Sequence, residues 1–224
     1  MAEKRKVSPP TAQSPYRLLV EGSADQHAII HLLRRKGYDW DNACQVRPFV
    51  NSVGGRENMP AVIAVQKARR ALGIVLDADE HPAQRWRDVK AWLADVVNAV
   101  PDDPHPDGLI LDSREPGCKV GVWLMPDNRS QGALEDFVQD LVPPDDVCWD
   151  YAKQQSQAAK ERYARGPQSF GYDLKSQLHT WLAWQDEPGM SFGQALNKKL
   201  LGCESPTTAR FCQWFDALFP SMAA

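Results

Sequence analysis

The chain has 224 residues, 43% of them hydrophobic and 25% charged, with a formal net charge of −3. That balance belongs to a globular protein somewhat longer than one ordinary domain, and it excludes chain-wide disorder and a tail-driven, histone-like grip on nucleic acid. No apolar run reaches the ~18 residues of a membrane span, and the basic start MAEKRKVSPPTAQSP has no apolar stretch of signal-peptide type, so the reading is a cytoplasmic chain with no membrane role.

Residues 1–15 are rich in Pro, Ser and Lys and read as a mobile leader. Tyr16 to Val20 (YRLLV) has the continuous apolar character of a buried strand. Ala24 to Lys36 repeats apolar residues at Ile29, Ile30, Leu32 and Leu33, the pattern of a helix. Gln45 to Asn51 reads as a second strand, which Pro48 pushes toward a sheet edge. Asn58 to Arg70 follows as a helix and Leu72 to Leu76 (LGIVL) as a third strand. Pro82 to Val100 predicts a long helix with Trp86, Val89, Trp92 and Leu93 toward a core. Gly108 to Leu111 and Lys119 to Leu124 predict two more strands, and Gln131 to Leu141 a helix.

Beyond about residue 150 no strand pattern remains. Tyr151–Arg165, Asp173–Gln185, Phe192–Leu201 and Thr207–Phe219 all read as helices, with Trp181 and Trp184 spaced to face a core. The order predicts an α/β fold with a largely parallel sheet flanked by helices, over residues 16–148, followed by a helical C-terminal extension over 149–224 packed on it. Cys44, Cys118, Cys148, Cys203 and Cys212 are widely spaced without a CxxC, so reduced thiols are expected rather than a zinc site. His27 and His31 are four apart on one helix but lack a third ligand.

The acids that carry chemistry fall at strand ends, where open α/β sheets place their sites. Glu21 follows YRLLV directly; Asp77 and Asp79 follow GIVL. On extended backbone, residues two apart face the same way, so Asp77 and Asp79 could point at one ion. Converging carboxylates repel unless a cation compensates, and an all-oxygen set favours Mg²⁺, then Mn²⁺. Asp127 lies just past the strand KVGVWL, and Glu135 opens the next helix; together they could serve a second ion. The plain alternative for each of these acids is a helix cap or first-turn charge. Arg56 follows Gly54-Gly55, whose turn could present backbone N–H groups to a phosphate. Lys153, Lys160, Arg162, Arg165 and Lys175, interleaved with Tyr151, Tyr163, Phe170 and Tyr172, are compatible with single-stranded nucleic acid or with a solvated helix face.

A strand ending in Glu-Gly, a helix, a second strand with a glycine turn, a helix, and a strand ending in Asp-x-Asp resembles the Toprim domain. The resemblance covers roughly residues 16 to 142. The segments Trp123–Asn128 and Gly132–Asp136 look like an uncharacterised bacterial Toprim-like family, distantly similar to OLD-family nucleases, in which a later Leu-Glu pair adds a metal ligand; Leu134-Glu135 stands at that position. The resemblance implies a Rossmannoid sheet and a Mg²⁺-dependent site that cleaves phosphodiester bonds. Asp77 and Asp79 would hold metal, Glu21 would hold metal or act as base, and Arg56 would position phosphate. It also allows a non-catalytic nucleotide- or partner-binding module working with a separately encoded ATPase, in defence against phage. No Walker-type loop is present, so this chain is not expected to hydrolyse ATP.

Overall fold

The computed structural model describes residues 14–38, 48–66, 70–163 and 173–220. Five described strands, β1 (Tyr16–Val20), β2 (Phe49–Ser52), β3 (Ala71–Asp77), β4 (Leu109–Asp112) and β5 (Lys119–Met125), form one sheet in the order β2-β1-β3-β5-β4. The first three strands and β5 run parallel, while β4 pairs antiparallel to β5. The sheet is therefore mixed but mostly parallel, as the strand–helix alternation predicts. β2 lies at an edge, where the preceding Pro48 removes no ladder hydrogen bond. The part of the predicted second strand before residue 48 falls outside the described residues.

The helices are α1 (Ser23–Arg35), α2 (Met59–Ala64), α3 (Pro82–Leu93), α4 (Leu134–Gln139), α5 (Val147–Tyr163), α6 (Asp173–Ala183), α7 (Phe192–Asn197) and α8 (Pro206–Leu218). A short 3₁₀ turn over Arg56–Asn58 precedes α2. Helix α3 stops short of the predicted Val100. The segment after it turns so that Val97 bridges Ser113, and Pro101 accepts a hydrogen bond from Trp86 Nε1 at 3.0 Å.

The period of two along the strands sorts residues into two cores. Leu19, Leu72, Ile74, Leu76, Val120, Val122 and Leu124 pack with Met59 and Ile63 of α2 and Trp86, Val89 and Leu93 of α3. Leu18, Val20, Val75, Trp123 and Met125 face α1 and the helices α4 to α8. The C-terminal helices thus close one face of the sheet. Trp123, fully buried, meets Phe211 edge-on at 5.3 Å and Trp214 at 5.9 Å, both on α8. Trp184 departs from its predicted core role: it is 45% exposed and packs on the also exposed Tyr151 at 5.5 Å.

Close approach of α8 depends on Gly108. Its backbone is left-handed (φ +84°), and a Cβ there would lie 2.3 Å from Cδ1 of Trp214. Trp214 in turn donates Nε1–H to the Leu109 carbonyl at 3.1 Å. Gly108→Ala combines a strained φ with overpacking and is expected to cost about 2–4 kcal/mol, read as a lowered urea midpoint.

Candidate functional site

The parallel register places the ends of β1 and β3 side by side, with Val20 opposite Val75. Glu21 and Asp77 therefore meet. The Asp77 backbone N–H donates to Glu21 Oε1 at 3.0 Å. The Gly54-Gly55 turn reaches the same place because Gly55 N–H donates to the Glu21 carbonyl at 3.0 Å, which delivers Arg56 to the rim. Gly54 and Gly55 have φ of +77° and +130°, conformations that favour glycine. On the other side, the first turn of α4 is fixed to β3: Leu134 N–H donates to Asp77 Oδ1 at 3.0 Å. A cleft of about 580 Å³ opens here, lined by Arg56, Asp77, Asp79, Arg85, Glu135 and Lys175 among others.

The electrostatics are dominated by crowded carboxylates. Asp77 is pushed up to about 8, first by burial and then by Asp25, Glu21, Glu135 and Asp79. Glu21 is also raised, by burial above all, against the Asp77 N–H and Arg85, which favour its charged form. Asp25 in the first turn of α1 is buried and raised by burial, with Glu135 adding repulsion and the Gly22 N–H and Lys175 opposing. Two ion pairs offset part of this charge. Lys175, reaching in from α6, meets the buried Glu135 at 3.0 Å. Asp79 Oδ2 receives Arg56 Nη1 at 2.9 Å and also Arg85 Nη2. Arg85, only 5% exposed, further donates Nε–H to the Asp77 carbonyl at 2.8 Å.

Asp77, Asp79, Glu135 and Arg56 line one cleft, and Glu21 adjoins it through the Asp77 N–H, but Asp79 and Asp127 have partners other than those expected. Asp77 and Asp79 are engaged by different partners, Asp77 by the Leu134 N–H and Asp79 by two arginines. The strand ends at Asp77, and Asp79 adopts left-handed backbone (φ 53°), so the alternation that would align them is broken. Asp79 is instead the acceptor for two arginines. Asp127 is a turn residue: Oδ1 accepts the N–H groups of Arg129 and Ser130 at 3.0 and 2.7 Å, and Oδ2 the Ser130 hydroxyl. Burial pushes its carboxyl upward, but those donors and Arg210 outweigh this and leave it below the ordinary carboxylate range. It does not line the cleft.

The basic stretch also divides. Lys153 pairs with Asp150 at 2.8 Å and lies 5.3 Å over the Trp149 ring, and Lys160 pairs with Asp173. Arg162 is exposed near the end of α5, and Arg165 lies outside the described residues. Among the described members of this basic stretch, only Lys175 lines the cleft. Sequence reasoning missed Asp25 and Arg85. Asp25 carried a signal, four residues after Glu21 in a first helical turn. Arg85 carried none, because its role depends on where α3 starts relative to β3.

The donor set suits a hard divalent cation in kind: oxygen ligands in a site with excess negative charge. The geometry is not preformed, since among the described residues no three Asp, Glu, His or Cys side chains are placed to share one ion. Among the described residues no helix is long and apolar enough to cross a membrane. No curated protein and no solved structure matches the chain. Residues 15–220 match a family model described as protein of unknown function (DUF3226), from the start of β1 to the end of α8, and the chain belongs to that family.

Proposed function

We propose that the protein is a Toprim-like, divalent-metal-dependent enzyme that cleaves phosphodiester bonds in nucleic acid. The observation that carries this reading is the meeting of Glu21 and Asp77 at adjacent parallel strand ends, where Asp77 lines a cleft that also presents Arg56, Arg85 and Lys175. Asp77 and Glu135 are the residues that would hold Mg²⁺ or Mn²⁺. Bound there, the ion would supply Lewis-acid stabilisation of charge on the scissile phosphate.

The protein's own groups have separable tasks. Glu21 has Oε1 engaged by the Asp77 N–H, so Oε2 is the atom that takes a proton from attacking water. Burial raises its proton affinity, which favours that task. Arg56 orients the phosphate from the rim. Arg85 fixes the loop after β3 through the Asp77 carbonyl.

The test is cleavage of single- and double-stranded DNA and RNA in Mn²⁺ or Mg²⁺, alongside calorimetric titration of the ion. Glu21→Gln and Asp77→Asn are each expected to lower the rate by about 10²-fold or more, with circular dichroism unchanged. Full activity in both variants would remove the assignment. Ion binding without cleavage of any substrate would favour the second reading, a binding module that works with a separately encoded ATPase; the crowding of carboxylates at one cleft supports either.

A further inference from the structure

We propose that Asp79 is an internal stand-in for a substrate phosphoryl group, occupying an anion site formed by Arg56 and Arg85. The inference rests on the reading that the cleft receives a phosphate, and it gives Asp79 a role other than ion ligation.

Arg56 and Arg85 come from separate parts of the chain, the turn after β2 and the first helical turn after β3. Both donate to the same oxygen, Asp79 Oδ2. Two guanidinium groups carry like charge, and converging on one oxygen they form a site that suits a phosphoryl oxygen as well as a carboxylate. Asp79 is suited to yielding that place. Its backbone is fixed, with N–H donating to the Gly132 carbonyl at 2.8 Å and its own carbonyl accepting from Gly132 N–H at 2.9 Å. Its side chain is half exposed, so rotation about χ1 releases both arginines without moving the loop. Arg85 would stay in place once released, because its Nε bond to the Asp77 carbonyl and its Nη1 contact with Asp88 at 3.4 Å are independent of Asp79. An incoming phosphate therefore competes with a half-exposed carboxylate for one exposed and one buried arginine.

The experiment is calorimetric titration of inorganic pyrophosphate into the full chain in the presence of a chelator, so that no metal bridges protein and ligand. Asn tolerates left-handed backbone, so Asp79→Asn keeps the loop conformation. Asp79→Asn is expected to bind pyrophosphate about five- to tenfold more tightly than the wild type, because the competing carboxylate is gone. Arg56→Gln, at an exposed position, is expected to bind it at least about fivefold more weakly. Unchanged or weaker binding by Asp79→Asn, unchanged binding by Arg56→Gln, or no binding by either the wild type or Asp79→Asn would overturn the proposal. The two levels fail separately. If pyrophosphate behaves as expected but no nucleic acid is cleaved, the anion site stands and the cleavage reading falls. If Mn²⁺ binding and cleavage depend on Asp77 while Asp79→Asn loses Mn²⁺ and gains no pyrophosphate affinity, Asp79 is an ion ligand and this proposal falls alone.

Discussion

Asp77→Asn is expected to make the metal-free protein more stable at pH 8, with a gain that disappears toward pH 4. Asp77 holds its proton up to about 8 in the folded chain, against an ordinary 3.8. Between those values the unfolded chain has lost a proton that the folded chain keeps. Folded molecules then bind more protons, so stability falls as pH rises through this window and levels off above it. Each unit of difference corresponds to about 1.4 kcal/mol, but the group borders an open cleft that screens it, so the expected gain at pH 8 is about 2–4 kcal/mol, or roughly 5–10 °C. Asn keeps the Oδ1 acceptor for the Leu134 N–H, so the bond between β3 and α4 survives. Denaturation of both chains at pH 4, 6 and 8 with a chelator present checks this. Parallel pH profiles would show that another group is responsible.

The second large effect concerns packing. Trp123→Ala is expected to cost about 3–5 kcal/mol, because it removes a fully buried ring from between the sheet and α8. Phe211 and Trp214 would lose their contacts with that ring, and the loss is expected throughout the fold rather than in the C-terminal helices alone. Calorimetry should show a single transition shifted to lower temperature. A separate early transition belonging to the last helices, with the rest unchanged, would contradict this. The same packing sets the geometry of the cleft, since Lys175 reaches Glu135 from α6, which belongs to the helices on this face.

Much of the architecture was legible because period and composition are local properties. YRLLV and LGIVL are continuous apolar runs, and both are strands of the parallel core. The capped helices at the C-terminus start at or within one residue of their expected first residues, though α7 ends at Asn197, short of the expected Leu201; Ser205 and Ser191 each accept the N–H three residues on. What was misplaced depended on single backbone torsions. The expectation that Asp77 and Asp79 face one way assumed continued extension, and the left-handed turn at Asp79 breaks it. Asp127 looked like a ligand because it follows a strand, yet nearby N–H groups in its own turn take up its oxygens.

Apolar periodicity along short windows is enough to place the mostly parallel sheet, the helical C-terminal third and Glu21 and Asp77 at strand ends. Which charges meet depends on how distant segments pack. Strand order places β1 beside β3 and so joins Glu21 to Asp77, separated by 56 positions. Packing of α6 brings Lys175 to Glu135, and the start of α3 buries Arg85 against the loop it holds. Charge interactions depend on distance through space, which no local pattern encodes, so the chemistry of the cleft emerges only once distant segments are packed together.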